Sequence, residues 1–128
     1  MENLVGVEIE ELNGGEVVVA HLSGELDIAG AKSVETKIAE AVPSSALGVV
    51  VDTTGLDFMD SSGVSMLFAL ARTIGRHRQS LHVVAPEGRP VARVLDIVEF
   101  GRAAPVHREV ASAVSAIATP REPQPPPG

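Results

Sequence analysis

The 128-residue sequence predicts a single α/β domain built on a mixed, mostly parallel β-sheet. Segments with strand periodicity alternate along the chain with segments whose apolar residues recur at helical spacing. A hairpin signal, Asn13-Gly14-Gly15, separates the first two strand segments and supplies residues that adopt positive φ readily. Because 45% of the residues are apolar and 21% are charged, the chain can form one ordinary hydrophobic core. The predicted order of elements is ββαβαβαβα.

The first part of the chain predicts a hairpin followed by a helix. Apolar and polar residues alternate from Val5 to Glu10, which is the pattern of a half-buried strand. Residues Glu16–Leu22 (EVVVAHL) predict a second strand that is apolar on both faces for most of its length. A helix is predicted from about Ile28 to Ala41, and Pro43 ends it. Its apolar stripe consists of Ala31, Val34, Ile38 and Ala41.

The middle of the chain predicts a buried strand and a strongly amphipathic helix. The short apolar run Leu47–Val51 (LGVVV), followed by Asp52, is typical of a central strand buried on both sides. The helix is predicted from Ser62 to about Gly75. Its apolar residues at helical spacing are Val64, Leu67, Phe68, Ala71 and Ile74. Arginines near its C-terminal end complement the helix dipole; they are Arg72, Arg76 and Arg78.

The last part of the chain predicts two strands and two helices. Leu81–Ala85 predicts a strand, and Pro90 is placed as the first residue of a helix that buries Val91, Val94, Leu95 and Val98. Ala103–Val106 predicts a short edge strand, and a final amphipathic helix carries Val110, Val114 and Ile117. Five of the nine prolines fall after Ala118. We therefore expect a domain over residues 1–118 and a proline-rich disordered tail over residues 119–128.

Charge and composition exclude several classes of function. The net charge is −7, with twelve acidic residues and two lysines in residues 1–60, and eight arginines and five acidic residues in residues 61–128. An acidic chain with three phenylalanines as its only aromatic residues is a poor candidate for nucleic-acid binding, so the expected partner is a protein or a small ligand. The absence of cysteine excludes a thiolate nucleophile and a cysteine-ligated metal, and it fits a cytoplasmic location. No apolar run is long enough to span a membrane, and the acidic N-terminal segment does not resemble a signal peptide.

The most informative segment is Asp57–Val64 (DFMDSSGV), which joins a buried strand to the amphipathic helix. It is expected at the carboxyl edge of the sheet, where ligands and partners meet open α/β folds. One interpretation is structural: Asp60, Ser61 or Ser62 caps the helix, and Gly63 lets the helix and strand pack closely. The other is a modification site, because a phosphate at a helix N-terminus is tolerated by the helix dipole and adds about −1.5 to −2 charges. Both interpretations are open at this point.

Two motifs, together with the order of elements, resemble the STAS domain. They are Gly24-Glu25-Leu26-Asp27 after the second strand and Met59-Asp60-Ser61-Ser62-Gly63 after the third. The resemblance covers residues 5–118 and is greatest to bacterial anti-sigma factor antagonists. It implies that Ser61, directly after the aspartate, is phosphorylated, and that Asp27 corresponds to the family's loop aspartate. The family pattern often continues with Leu-Gly, whereas this chain has Val64-Ser65, a difference that bears on which partner is bound.

The resemblance implies a mechanism of partner switching. The unphosphorylated protein would bind an anti-sigma factor that is also a serine kinase, and so displace a sigma factor. The residues implied in binding are Asp27, Asp60, Ser61, Ser62 and Gly63. Phosphorylation of Ser61 would release the partner, and a phosphoserine phosphatase would restore binding. The kinase would supply nucleotide and metal, so no cofactor, metal ion or catalytic residue is expected in this chain.

Other functions fit less well. A receiver-like phosphoaspartate domain would use Asp52, but it also needs an acidic pair after the first strand and a lysine late in the chain, and no lysine follows Lys37. A serine hydrolase needs G-x-S-x-G, and residues 59–63 lack the first glycine. No histidine pairs convincingly with Ser61. We expect His21 and His82 in strands, and His77 and His107 at helix ends, to be solvated or satisfied in the core.

Three further alternatives concern nucleotides, metals and scaffolding. Residues 24–33 (GELDIAGAKS) resemble a P-loop only loosely, because Ala31 separates the second glycine from Lys32. Four turn aspartates could bind a divalent cation, although no histidine accompanies them; these are Asp27, Asp52, Asp57 and Asp60. STAS-like domains also act as constitutive adaptor subunits of ABC-type lipid transporters or signalling assemblies, without phosphorylation. The intact Asp-Ser-Ser-Gly motif in a single domain favours the switch.

Overall fold

The computed structural model describes residues 5–118, which form one five-stranded sheet flanked by four α-helices. The strands are β1 (Val5–Leu12), β2 (Val17–Leu26), β3 (Gly48–Met59), β4 (Ser80–Val84) and β5 (Val106–His107). The helices are α1 (Ile28–Ala41), α2 (Ser61–Arg76), α3 (Pro90–Ile97) and α4 (Val110–Ala118). Short 3₁₀ turns cover Asn13–Gly15 and Phe100–Arg102. The predicted α/β class and element order are confirmed.

The sheet is mixed and follows the chain, with strand order β1-β2-β3-β4-β5. The hairpin pairs β1 and β2 antiparallel, and each later strand adds parallel to its predecessor. The hairpin turn has positive φ at Asn13, Gly14 and Gly15, as expected for an Asn-Gly-Gly signal. Connections between parallel strands are almost always right-handed, and β2 to β5 follow one another across the sheet. The helices in these connections, α1, α2 and α3, therefore share one face of the sheet.

The two faces of the sheet have different cores. On one face, α1, α2 and α3 cover alternate strand residues, and Phe100 contacts Phe68 edge to face at a ring distance of 4.9 Å. On the other face, α4 packs through Ala113 and Ile117 against the amino-terminal halves of β2 and β3 and against Val84, the last residue of β4. The rest of that second face carries polar side chains. The predicted apolar stripes are buried or half-buried, except for Val98, which is exposed just beyond the end of α3 at Ile97.

Strands β2 and β3 extend beyond their predicted ends. The structure continues β2 to Leu26 and β3 to Met59, so Gly24–Leu26 pair with Leu56, Phe58 and Met59, and these segments are strands and not loops. The pairing shifts register twice along this extension, which is the signature of bulges. Buried positions in β3 then recur at Leu56 and Met59, three residues apart, so the usual alternation that predicts a strand is lost.

The C-terminal edge also differs in detail from the prediction. The edge strand is β5 at Val106–His107, displaced from Ala103–Val106 by the 3₁₀ turn, and His107 therefore lies in a strand and not at a helix end. None of the helices between residues 5 and 118 is both long and apolar enough to cross a bilayer. The proline-rich segment 119–128 lies outside the described residues.

Candidate functional site

The starts of α1 and α2 lie side by side at the carboxyl edge of β2 and β3. The two strands end together, because Leu26 pairs with Met59 and the Leu26 carbonyl accepts a hydrogen bond from Asp60 N at 3.1 Å. Each strand leads directly into a helix through an aspartate, Asp27 for α1 and Asp60 for α2. Two helix N-termini, with their positive dipole ends, are thus placed next to each other.

Both aspartates cap their helices. Asp27 Oδ1 accepts from Ala29 N at 3.1 Å. Asp60 Oδ1 accepts from Ser62 N at 2.9 Å and from Gly63 N at 3.3 Å. The structure therefore selects Asp60 as the cap of α2 among the three candidates, and it gives Asp27 a capping role that the resemblance did not imply.

Ser61 is the most accessible of the motif's side chains. It is the first residue of α2 and is exposed, whereas Ser62 is half-buried. Within residues 5–118 the Ser61 hydroxyl makes no hydrogen bond, because Asp60 already satisfies the nearest amides of the helix. Its oxygen is therefore open to a reagent or partner at a helix N-terminus.

Gly63 determines how close α2 lies to the sheet. A Cβ at this position would overlap Met59 Cγ and lie 3.1 Å from Leu26 Cδ2. Met59 and Leu26 are the last residues of β3 and β2, so only glycine allows the helix to start against both strand ends. Gly63 is buried, so it contributes to the site by fixing where α2 begins and thereby where Ser61 lies.

A groove of about 490 Å³ runs between α1 and α2 and includes Ser61. Its other lining residues include Ile28, Lys32, Glu35, Ser62, Ser65 and Arg72. Ile28 stands at its edge with 79% of its surface exposed, the largest exposed fraction among the large apolar side chains of the described chain. Ser65, where the family pattern often has glycine, lines the same groove as Ser61. The sequence interpretation missed Ile28, Lys32 and Arg72, although an isoleucine directly after a capping aspartate was a usable signal.

The four aspartates considered as a cation site serve separate purposes. Asp27 and Asp60 cap different helices, and the largely exposed Asp57 lies 3.9 Å from Arg89 Nη2. Asp52 points to the opposite face of the sheet, where it contacts His21. Among residues 5–118, no three histidine, cysteine or carboxylate side chains are grouped so that they could hold a metal ion.

A polar cluster on the second face of the sheet joins β1, β2 and β3. His21 Nδ1 donates to Asp52 Oδ2 at 2.8 Å, and His21 Nε2 donates to Glu10 Oε1 at 2.9 Å. Since both ring nitrogens donate, the complete cluster contains an imidazolium. Burial alone would lower the pKa of His21, but the hydrogen bonds and charges of Glu10 and Asp52 raise it above 6.5. Burial likewise opposes ionisation of Asp52, but hydrogen bonds from Thr54 and His21 hold its pKa below the ordinary value.

The remaining histidines also have partners. His82 Nδ1 lies 2.9 Å from His107 Nε2, so one neutral ring donates to the other between β4 and β5. Burial, followed by the positive charge that His107 would carry, lowers the pKa of His82. His77 Nδ1 donates to the Thr73 carbonyl at 2.9 Å. None of these rings contacts Ser61, which agrees with the expectation that the histidines are satisfied locally.

Comparison with known proteins identifies the family. The family model described as the STAS domain matches residues 8–113. The chain is 31% identical to the anti-sigma-F factor antagonist RsfB of Mycobacterium tuberculosis over 72 residues. These residues make up 56% of this chain and 57% of that protein. The chain thus spans just over half the length of the curated relatives it matches.

Solved structures share the fold. An anti-sigma factor antagonist from Mycobacterium paratuberculosis superposes with a TM-score of 0.79 at 23% identity, covering 90% of this chain and 95% of that one. The Bacillus cell fate determinant SpoIIAA in its phosphorylated form gives a TM-score of 0.63 at 23% identity, covering 88% and 99%. These similarities confirm the predicted STAS-like fold.

Replacing Gly63 tests the close approach of α2. Gly63→Ala should lower the free energy of unfolding by about 1–3 kcal/mol, because the new methyl group meets the ends of β2 and β3. Gly75→Ala is the matched control in the same helix, since its Cβ would meet nothing within 4 Å, and it should be neutral or stabilising by up to about 1 kcal/mol. Urea denaturation measures both. Equal effects of the two substitutions would contradict the packing constraint.

His21 should make stability depend on pH. Its raised pKa means that its contribution is complete below 6.5 and is lost as the pH rises through the folded-state pKa. His21→Gln should therefore destabilise the protein more at about pH 6 than at about pH 9, where the wild type has also lost the imidazolium. His77→Gln, at the exposed end of α2, is the control. Denaturation at both pH values is the measurement, and a pH-independent effect of His21→Gln would refute the charged cluster.

Proposed function

Since this chain belongs to the STAS domain family, we propose that it is an anti-sigma factor antagonist whose binding to an anti-sigma factor is controlled by phosphorylation of Ser61. The observation that carries this proposal is the exposed Ser61 hydroxyl at the start of α2, which makes no hydrogen bond within residues 5–118. The relative RsfB is itself named an anti-sigma-F factor antagonist. The proposed partner is an anti-sigma factor with serine kinase activity, and this chain is non-catalytic.

The groove between α1 and α2 supplies the proposed docking surface. Ile28 offers an apolar contact at its edge, and Ser61 lies on the same surface. An exposed apolar side chain next to a polar rim is a common anchor for a partner protein. Asp27 caps α1 with Oδ1 and retains a second carboxylate oxygen, which can accept a hydrogen bond from a partner.

Phosphorylation would change the charge of this groove without breaking the fold. Lys32, Arg72 and Glu35 line the groove and sum to one positive charge. A phosphate on Ser61 would add about −1.5 to −2 charges and make the lining negative. The helix itself tolerates the anion, because Ser61 stands at the positive end of the α2 dipole.

The size of the effect is sufficient for a switch. A 100-fold loss of affinity requires about 2.7 kcal/mol. A charge placed against groups arranged for a neutral hydroxyl commonly costs several kcal/mol at an interface. One phosphate on Ser61 is therefore enough to release the partner, and a phosphoserine phosphatase would reset the protein.

Substitution of Ser61 tests the switch. We expect Ser61→Ala to retain the anti-sigma factor but not to be phosphorylated, and Ser61→Glu to bind it at least tenfold more weakly. Ser112→Ala, at an exposed position of α4 outside the groove, is the matched control and should be phosphorylated like the wild type. The measurements are affinity capture from host lysate with identification of the kinase, then phosphosite mapping by mass spectrometry after incubation with that kinase and ATP. Phosphate on Ser62 in the Ser61→Ala protein would move the site, and equal retention of transporter or scaffold proteins by all baits would replace the switch with the adaptor function.

Substitutions of Asp27 test whether its carboxylate contacts the partner or only caps α1. Asp27→Asn keeps a capping oxygen, so its stability should stay within about 0.5 kcal/mol of wild type, whereas Asp27→Ala should lose about 0.5–2 kcal/mol. If the charge contacts the partner, both variants should bind the anti-sigma factor more weakly. Calorimetric binding and thermal unfolding measure the two properties. Wild-type affinity of Asp27→Asn would show that Asp27 is only a cap.

A further inference from the structure

A second cleft, of about 420 Å³, lies at the start of α3 and shares no residue with the groove between α1 and α2. The turn after β4, the first turns of α3 and the segment between β5 and α4 form it. Three arginines line it: Arg89, Arg93 and Arg108. The cleft is therefore rich in guanidinium groups, although the whole chain has a net charge of −7.

Two of these guanidinium groups have no counter-ion. Among residues 5–118, no carboxylate lies within 4.0 Å of Arg93 or Arg108, even though Glu87 and Asp96 line the same cleft. Arg108 Nη1 donates to the Ala85 carbonyl at 3.2 Å, which orients the guanidinium and leaves its other N–H groups for a ligand. Ion pairing inside the protein thus does not account for this cluster.

The wall of the cleft is preformed. Arg89 N donates to the Pro86 carbonyl at 3.3 Å and closes a tight turn in which Gly88 has a φ of 83°. Arg89 Nη2 also donates to the Leu56 carbonyl at 3.3 Å, which ties the turn to β3. A ligand would therefore meet a turn that is already held in place, so less ordering entropy would be lost on binding.

We propose that this cleft binds the phosphate group of a small phosphate monoester, with Arg93 and Arg108 as its principal ligands. Arg93 and Arg108 are free to form charge-assisted hydrogen bonds, and the guanidinium fork matches phosphate oxygens in geometry. Glu87 and Asp96 would repel additional negative charge, so a monophosphate is favoured over a polyphosphate. The cleft shares no lining residue with the groove that contains Ser61, and it lies at the carboxyl end of β4, where α/β sheets commonly bind ligands.

Titration of the full-length ¹⁵N-labelled protein with phenyl phosphate tests the proposal, with sodium chloride matching the ionic strength. Saturable amide shifts should be confined to the non-proline residues between 85 and 96 and to Arg108. Arg93→Gln and Arg108→Gln should each weaken binding at least tenfold. Arg76→Gln removes the same charge from the exposed end of α2 and should bind like the wild type. Non-saturating or dispersed shifts, or equal binding by Arg93→Gln and Arg76→Gln, would overturn the proposal.

Benzoate and phenyl diphosphate distinguish the ligand class. We expect both to bind at least tenfold more weakly than phenyl phosphate. Benzoate binding as tightly would overturn the assignment to phosphate, and tighter binding of the diphosphate would overturn the preference for a monophosphate. Thermal unfolding of each variant checks the fold. Since the Arg93 side chain makes no hydrogen bond or ion pair within residues 5–118, Arg93→Gln should unfold at the wild-type temperature and keep the test valid if Arg108→Gln is destabilised.

Discussion

The close approach of α2 to the sheet is the constraint on which the site depends. Gly63 lets the helix begin against Leu26 and Met59, and the hydrogen bond from Asp60 N to Leu26 O ties the end of β3 to β2. With the helix start fixed in this way, Asp60 can cap it, and Ser61 is turned outward beside α1. The exposure of Ser61 is thus a consequence of packing beneath it. The structural and functional interpretations of this motif are compatible, because the cap and the glycine present the serine.

The two faces of the sheet divide the chemistry of the protein. The face under α1, α2 and α3 is apolar, and its carboxyl edge carries the groove with Ser61. The other face is only partly covered by α4. Its uncovered region holds His21, whose pKa is lowered by burial and raised by the neighbouring carboxylates. The fold favours the charged form of His21 and the neutral form of His82, so their contributions to stability change with pH in opposite directions. Their effects on stability partly offset each other near neutral pH.

The sequence predicted the elements with regular periodicity well, and α1 has the predicted bounds because a capping aspartate and Pro43 mark its ends. It did not predict the extension of β2 and β3, since bulges destroy the alternation and polar residues lower strand propensity there. The motif around Ser61 was readable because its residues are contiguous. The groove and the arginine cleft were not, because residues far apart in sequence, such as Lys32 and Arg72 or Arg93 and Arg108, line one cavity only in the folded chain.

The ends of the sheet have a consequence for how copies of the protein meet. The β1 edge is eight residues long and carries exposed glutamates at Glu8, Glu10 and Glu11, while the opposite edge, β5, has only two residues. The β1 strand of a second copy would bring its own glutamates against those of the first edge, and β5 is too short to pair with an added strand. The open sheet is thereby protected from growing by edge-to-edge addition.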